Sequence, residues 1–224
     1  MKKLAVILTA LIGFSAFSQQ IIDTEVGDFN EIKVYDLIEV NLIQSDENRI
    51  LIKGENVHDI KWVNKDGTLK LRMQLEKKFS GEKTLIEVYY EQLDVVDSNE
   101  GAKIVFNEMV KQDHIELRAQ EGGLIRAGID VDFGMFKAVT GGTIEASGLA
   151  KKQNISLNTG GMFRGQELKT ERSSVKISAG GEAKLHATEK VEIDVTAGGE
   201  VYVYGNPAQV DKNTFAGGRV YFKD

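Results

Sequence analysis

The chain has 224 residues, with 28 Lys and Arg against 34 Asp and Glu, which gives a formal net charge of −6. This acidic balance disfavours nucleic acid and anionic membranes as partners, because phosphate binding needs a basic face. The sequence contains no cysteine, which excludes disulfide scaffolds, thiolate metal sites and thiol catalysis.

The N-terminal segment 1–18 has the three parts of a secretory signal peptide. Two lysines follow the initial methionine, an apolar run covers positions 4–14, and small side chains stand at Ala16 and Ser18. We expect cleavage after Ser18 and export to the periplasm, the cell surface or the medium. An uncleaved anchor is the alternative, but the apolar run is too short for a bilayer core of about 30 Å. The mature chain is not expected to be integral to a membrane.

Residues 19–98 contain short stretches in which apolar and polar side chains alternate, separated by turn-forming residues. This pattern is typical of β-strands with one buried face. The stretches lie at 32–34, 38–42, 50–52, 60–62, 69–71 and 85–88. They could form wider first coils of a repeat fold or a separate cap, and the sequence leaves both open.

Residues 99–224 carry a regular series of small-residue pairs that begin with glycine. The first glycines are Gly101, Gly122, Gly141, Gly160, Gly180, Gly198 and Gly217. They recur with a period of roughly 19 residues, and a period of this length indicates a solenoid. We interpret the pairs as corners that need a positive φ and a close approach to the next coil, and we expect both at Gly141.

Apolar residues recur at fixed distances from these corners. Three positions after each first glycine stand Ile104, Ile125, Ile144, Phe163, Ala183, Val201 and Val220, and the next residue is polar or aromatic in all but one repeat. A period of two predicts strands with one buried face, which stacked repeats would bury along a common axis. The sequence therefore predicts an all-β parallel β-helix with about seven coils in its C-terminal half.

Several segments resemble the bacterial head GIN domain family. The similarity includes the run 27–34, the strand at 38–42, the segment 67–71, the serial glycine corners, and Tyr204-Gly205-Asn206-Pro207 near the end. It covers roughly residues 23–223, although Gly-Gly replaces the Ser-Gly-Ala or Ser-Gly-Ser corners common in that family. The resemblance implies a right-handed, secreted, adhesin-like β-helix and carries over no catalytic residue.

The usual signatures of catalysis and cofactor binding are missing from the sequence. His58, His114 and His186 lie far apart and have no partner at a metal-binding spacing, so no metal site and no cofactor are predicted. Some β-helices cleave acidic polysaccharides with carboxylates grouped on one outer face. The outward candidates here are Asp130, Asp132, Glu145, Glu182, Asp194 and Glu200.

One outward row, four positions after each first glycine, offers weak candidates for surface binding. Arg126, Glu145 and Arg164 should form a charge ladder from coil to coil, which register support and solubility would also explain. Tyr202 and Tyr221 should stack on neighbouring coils. They could dock a sugar ring or a partner, or simply close the C-terminal end.

These observations favour a secreted or cell-envelope, non-catalytic binding module of the adhesion type, with a glycan or an envelope protein as its partner. A carbohydrate-active lyase or hydrolase acting on an acidic glycan is the first alternative. A structural envelope protein that self-associates is the second. The domain organisation expected is a signal peptide at 1–18, a β-strand region at 19–98 and glycine-pair repeats at 99–224.

Overall fold

The computed structural model describes residues 21–54, 57–81 and 84–223. The predicted signal peptide lies outside these residues. The described chain is all-β apart from short 3-10 turns at Val57–Asp59 and Leu75–Lys77, and its strands join in one 18-stranded sheet. The strands are β1 (Ile21–Glu25), β2 (Glu31–Val34), β3 (Glu39–Gln44), β4 (Arg49–Gly54), β5 (Ile60–Lys65), β6 (Thr68–Met73), β7 (Thr84–Tyr90), β8 (Val95–Ser98), β9 (Lys103–Phe106), β10 (Val110–Gln120), β11 (Leu124–Val139), β12 (Thr143–Asn158), β13 (Gly161–Ile177), β14 (Gly181–His186), β15 (Lys190–Ala197), β16 (Glu200–Tyr204), β17 (Gln209–Ala216) and β18 (Arg219–Phe222).

From β8 onward the chain forms a β-solenoid of about seven turns between residues 95 and 222. Successive coils pair in parallel, and Ile125 lies beside Ile144, which lies beside Phe163. The prediction that residues one repeat apart stack on one another is confirmed. Each of these side chains is fully buried, and burying one of this size contributes about 1.5–3 kcal/mol.

The solenoid interior alternates large and small side chains. The ring of Phe163 covers Gly165 so closely that a β-carbon on Gly165 would lie 2.3 Å from it. The same ring stacks on Phe136, with 4.8 Å between the ring centres and 27° between their planes. A glycine beside a phenylalanine therefore keeps the volume of the layer constant, which close packing requires.

The two glycines of the Gly141-Gly142 corner have different tasks. Gly141 has a φ of +73°, but a β-carbon there would meet nothing within 4 Å. Gly142 lacks the positive φ, and its β-carbon would lie 2.1 Å from the carbonyl oxygen of Ala119. The expectation of crowding at Gly141 was therefore wrong: the first glycine makes the left-handed turn, and the second lets the preceding coil approach. Gly123 and Gly161 show the same close approach.

The N-terminal residues form a half-barrel sheet that continues the parallel stack out of chain order. β2 pairs in parallel with both β6 and β8, while β3 pairs in parallel with both β7 and β9. β4 then runs antiparallel to β1 and β7, and β5 runs antiparallel to β6. The parallel pairs continue the coils of the solenoid, whereas the antiparallel strands form a cap. Each of the two alternatives left open by the sequence, first coils and cap, therefore describes part of this region.

The corner between β2 and β3 is built without glycine. Asp36 and Leu37 have φ values of 60° and 61°. The Leu37 amide donates to the Glu100 carbonyl at 3.1 Å, and the Gly101 amide donates to the Glu121 carbonyl at 3.0 Å. This corner thus belongs to the same stack as the glycine corners. Its lack of glycine explains why the sequence repeat cannot be followed into the N-terminal third.

Among the described residues, no helix has the length and apolar character needed to cross a membrane.

Candidate functional site

The outward row predicted from the repeat is continuous along the solenoid. Glu145 lies between Arg126 and Arg164, and its carboxylate oxygens are 2.8 Å from a guanidinium nitrogen on either side. Partial burial acts to raise the pKa of Glu145, but the hydrogen bonds and charges of the two arginines outweigh it and hold the pKa below its usual value. Glu145 is therefore an ionised side chain that links its own coil to the coil on either side.

Farther along the same row, Tyr202 and Tyr221 stack with 4.9 Å between ring centres and 19° between planes. The Tyr202 hydroxyl donates to Glu200 at 2.8 Å, and this bond, together with desolvation and the Glu200 charge, raises the pKa of Tyr202 to about 12. Lys184 stands in the row between Arg164 and Tyr202. The structure therefore places the charge ladder and the aromatic pair on one row, but as two separate features.

A groove of about 320 Å³ lies beside the charge ladder and is lined in part by Arg126, Glu145 and Arg164. It forms where the pairing between β12 and β13 shifts by one position, after Glu145 and Arg164. The inserted residue belongs to the coil that begins at Gly160. The distance from Gly160 to the next corner is one residue longer than the distance from Gly141 to Gly160. The irregular spacing thus marks a β-bulge. Gln166 lies at this bulge and also lines the groove.

A second groove, of about 380 Å³, runs along the next face of the solenoid. We call it the second-face groove. Its floor is the buried row Val131, Ala150 and Thr170. One wall is the register-paired row Asp130, Leu149 and Lys169. The other wall carries Asp132, Lys151 and Glu171, and His186 and Thr188 also line the groove.

The end of this groove is set by a shortened coil. The interval between Gly180 and Gly198 is the shortest of the series and leaves only positions 187–189 between the end of β14 and the start of β15. The Thr188 amide still donates to the Thr170 carbonyl at 3.1 Å, so the short segment stays attached to the preceding coil. The loss of strand length here allows His186 and Thr188 to reach the groove.

Behind the groove floor lies a buried polar cluster that the sequence analysis missed. Gln153, Thr170 and Ser173 are each at most 4% exposed. The Gln153 amide nitrogen donates to the Ser173 hydroxyl at 2.8 Å, and the hydroxyls of Thr170 and Ser173 both reach the His186 carbonyl. The available signal was the appearance of polar residues at inward positions, since Gln153 and Ser173 follow Gly134 in one inward column.

The outward carboxylates do not gather at one place. Asp130 and Asp132 line the second-face groove, Glu145 belongs to the ladder, and the Glu182 carboxylate is 3.1 Å from the Lys184 ammonium. Asp194 and Glu200 lie on the later coils, where Glu200 is 3.2 Å from Arg219. Asp132 is itself paired with Lys151 at 2.6 Å.

The described part of the chain contains no group of three or more His, Asp or Glu side chains placed to hold a metal ion. The three histidines lie on different parts of the fold. His58 is in the first 3-10 turn, His114 in β10 and His186 at the end of β14.

Comparisons with known structures agree with the observed fold. A protein described as a putative adhesin from Bacteroides fragilis is similar over 93% of this chain and 98% of its own, with a TM-score of 0.83 at 17% identity. A putative adhesin from Parabacteroides merdae and a putative lipid binding protein from Parabacteroides distasonis each give a TM-score of 0.70 over the same shares, at 19% and 16% identity. At these identities the similarity shows the fold alone.

No curated protein matches the chain significantly. The family described as "Putative auto-transporter adhesin, head GIN domain" matches residues 28–207. This match covers most of the chain and includes strands β2 to β16. It confirms the resemblance found in the sequence, and the chain therefore belongs to the head GIN domain family.

Proposed function

We propose that the protein is a non-catalytic binding module of the adhesion type, exported to the cell envelope or beyond, and that it binds glycans on the lateral surface of its solenoid. The observation that carries the proposal is the register of the coils. Because the coils stack in register, outward side chains form rows along the solenoid, and grooves of about 320 and 380 Å³ lie beside these rows where the coil length changes. Open grooves with mixed polar and apolar walls suit a chain-like ligand.

Family membership supports the adhesion part of this proposal, since the family is described as "Putative auto-transporter adhesin, head GIN domain". The arrangement of acids supports the non-catalytic part. A glycosidase needs two carboxyl groups on opposite sides of the scissile bond, one of them held protonated. In the second-face groove the Asp132 carboxylate is instead paired with the Lys151 ammonium at 2.6 Å.

The test is a glycan array with neutral and uronic-acid-containing oligosaccharides, followed by hydrolase and lyase assays on every glycan that binds. We expect binding without turnover. Turnover that disappears in both Asp130→Asn and Asp132→Asn, but persists in the matched surface variant Asp194→Asn, would overturn the proposal in favour of a carbohydrate-active enzyme. Absence of binding to every glycan on the array would also contradict it.

A further inference from the structure

We propose that the second-face groove binds a short segment of an extended, neutral polysaccharide that lies along the solenoid axis. This inference rests on the proposed function and assigns it a site and a ligand class. The groove volume of about 380 Å³ falls within the range of about 300–1,000 Å³ found for small-molecule sites. Its walls are formed by consecutive coils, so the groove has the same repeat as the solenoid.

The repeat length of the groove fits a sugar chain. Neighbouring coils are about 4.8 Å apart, which is close to the length of one pyranose ring in an extended, equatorially linked chain. A peptide strand advances only about 3.3 Å per residue and would fall out of step with the coils. A polysaccharide lying along the axis could therefore place one ring against each coil.

The chemistry of the walls suits hydroxyl groups on a ring with an apolar face. Asp130 and Lys169 flank Leu149 on one wall, so a hydrogen-bond acceptor and a donor stand on either side of an aliphatic side chain. Leu149 is 52% exposed, although a leucine is usually buried. Sugar hydroxyls both donate and accept hydrogen bonds, and the C–H face of a pyranose can cover Leu149.

The charge of the groove distinguishes neutral from acidic glycans. Three carboxylates (Asp130, Asp132 and Glu171) face two ammonium groups (Lys151 and Lys169), which leaves a formal charge of −1. His186 adds no positive charge at neutral pH, because burial and the nearby Lys169 lower the pKa of its imidazole. A polyuronate would meet net repulsion here, whereas a neutral chain would not.

The groove is already formed in the free protein. Thr170 in the floor is fixed by the buried polar cluster, in which its hydroxyl lies 2.7 Å from that of Ser173. On the far wall the Lys151 ammonium and the Asp132 carboxylate form an exposed pair at 2.6 Å. Binding therefore orders few additional groups, and a preorganised site loses less affinity to conformational entropy.

The test measures calorimetric binding of neutral β-linked gluco-oligosaccharides and xylo-oligosaccharides of increasing length, with oligogalacturonate as the acidic comparison. We expect affinity to rise with length until the groove is filled, and oligogalacturonate to bind more weakly. Leu149→Ser and Lys169→Gln should each weaken binding about tenfold. The matched controls Leu75→Ser and Lys137→Gln change exposed residues of the same types elsewhere and should leave binding unchanged. Thermal melting verifies that each variant is folded.

Each outcome has a separate meaning. If the protein binds a saccharide with an affinity that Leu149→Ser and Lys169→Gln do not alter, the groove assignment is wrong and the proposed function survives. If oligogalacturonate binds more tightly than the neutral chains, the ligand class is wrong. If the wild-type protein binds neither the oligosaccharides nor any glycan on the array, the proposed function fails together with this inference.

Discussion

At the scale of the residue, a glycine corner needs a left-handed backbone and space for the neighbouring coil. Glycine meets both requirements because it has no side chain. The first glycine of every pair has a positive φ, from +59° at Gly180 to +77° at Gly122. The residue before it is also left-handed in several corners, as at Thr140 and Thr159, where φ is 49° and 50°. Left-handed non-glycine residues cost roughly 1–2 kcal/mol each, so the corners are strained and are held by the stacking around them.

The division of tasks between the two glycines predicts different costs of substitution. Gly141→Ala should lower the free energy of unfolding by about 1 kcal/mol, because only the backbone conformation opposes it. Gly142→Ala should cost about 3 kcal/mol, because its β-carbon would press on a backbone carbonyl that cannot move alone. Urea denaturation measures both. Gly141→Asn should cost less than Gly141→Ala, since asparagine tolerates a left-handed φ. Equal costs at positions 141 and 142 would contradict this account of the corner.

Two acids on neighbouring corners of the stack, Asp36 and Glu100, make a second residue-level prediction. Asp36 is 2% exposed and accepts a hydrogen bond from the Met73 amide at 3.0 Å. Burial, together with a hydrogen bond and charge repulsion from Asp36, raises the pKa of Glu100 above its usual value. Since the folded-state pKa is raised, the stabilisation is present at low pH and is lost as the pH rises through that pKa.

Glu100→Gln should therefore make the protein more stable than the wild type at about pH 7, and the advantage should shrink at about pH 4, where Glu100 holds its proton. Urea midpoints at the two pH values measure the effect. Glu76→Gln changes an exposed glutamate in the second 3-10 turn, away from this site, and is the control for the substitution itself. A Glu100→Gln variant that is less stable than the wild type at neutral pH would show that the carboxylate is stabilising there.

At the scale of the element, the strands of the solenoid are joined by parallel backbone pairing and by side-chain ladders on the outside. The strand segments on either side of each glycine corner follow from the sequence, because the alternation and the glycine interval are local signals that recur in every repeat. The stretch between these segments was not predicted as strand, and in β11, β12 and β13 the strand continues through it. The N-terminal pairing does not follow from it. β6 lies outside β2, although it comes later in the chain, and only long-range packing decides that order.

The Arg126–Glu145–Arg164 ladder predicts a pH-dependent contribution to stability. The arginines lower the folded-state pKa of Glu145, so the stabilisation is present above the unfolded pKa and is lost as the pH falls through the folded one. Glu145→Gln should cost no more than about 1 kcal/mol at neutral pH, because all three side chains are partly exposed. In urea unfolding the cost should be smaller at about pH 3 than at neutral pH. A cost that is equal at both pH values would show that packing, not charge, stabilises these coils.

At the scale of the whole molecule, the two ends of the solenoid differ. Antiparallel strands cover the N-terminal end, whereas β17 lies at the C-terminal end and is exposed along its whole length. Lys212 there occupies the inward position that Ile193 has one coil earlier, and Thr214 follows Val195 in the same way. A charged residue on an unpaired edge opposes the addition of another strand.

Lys212→Ile should therefore promote self-association, while the wild-type protein should remain monomeric. Light scattering at increasing protein concentration measures this. Lys176→Ile makes the same substitution at an outward position of an inner coil and should have no such effect. If the wild-type protein already forms dimers that Lys212→Ile leaves unchanged, then the last coil is not protected by its lysine and the self-associating alternative gains support.

The sequence by itself determined the all-β class, the solenoid repeat, the corners and the identity of the outward row, because each depends on a period that can be counted along the chain. It did not determine the half-barrel, the buried cluster around Gln153 or the second-face groove. The bulge and the groove end arise where the longer coil after Gly160 and the shorter coil after Gly180 must close around the same axis as their neighbours. Where the extra or missing residue is accommodated depends on packing against the neighbouring coils, and so only the tertiary structure decided where the grooves lie.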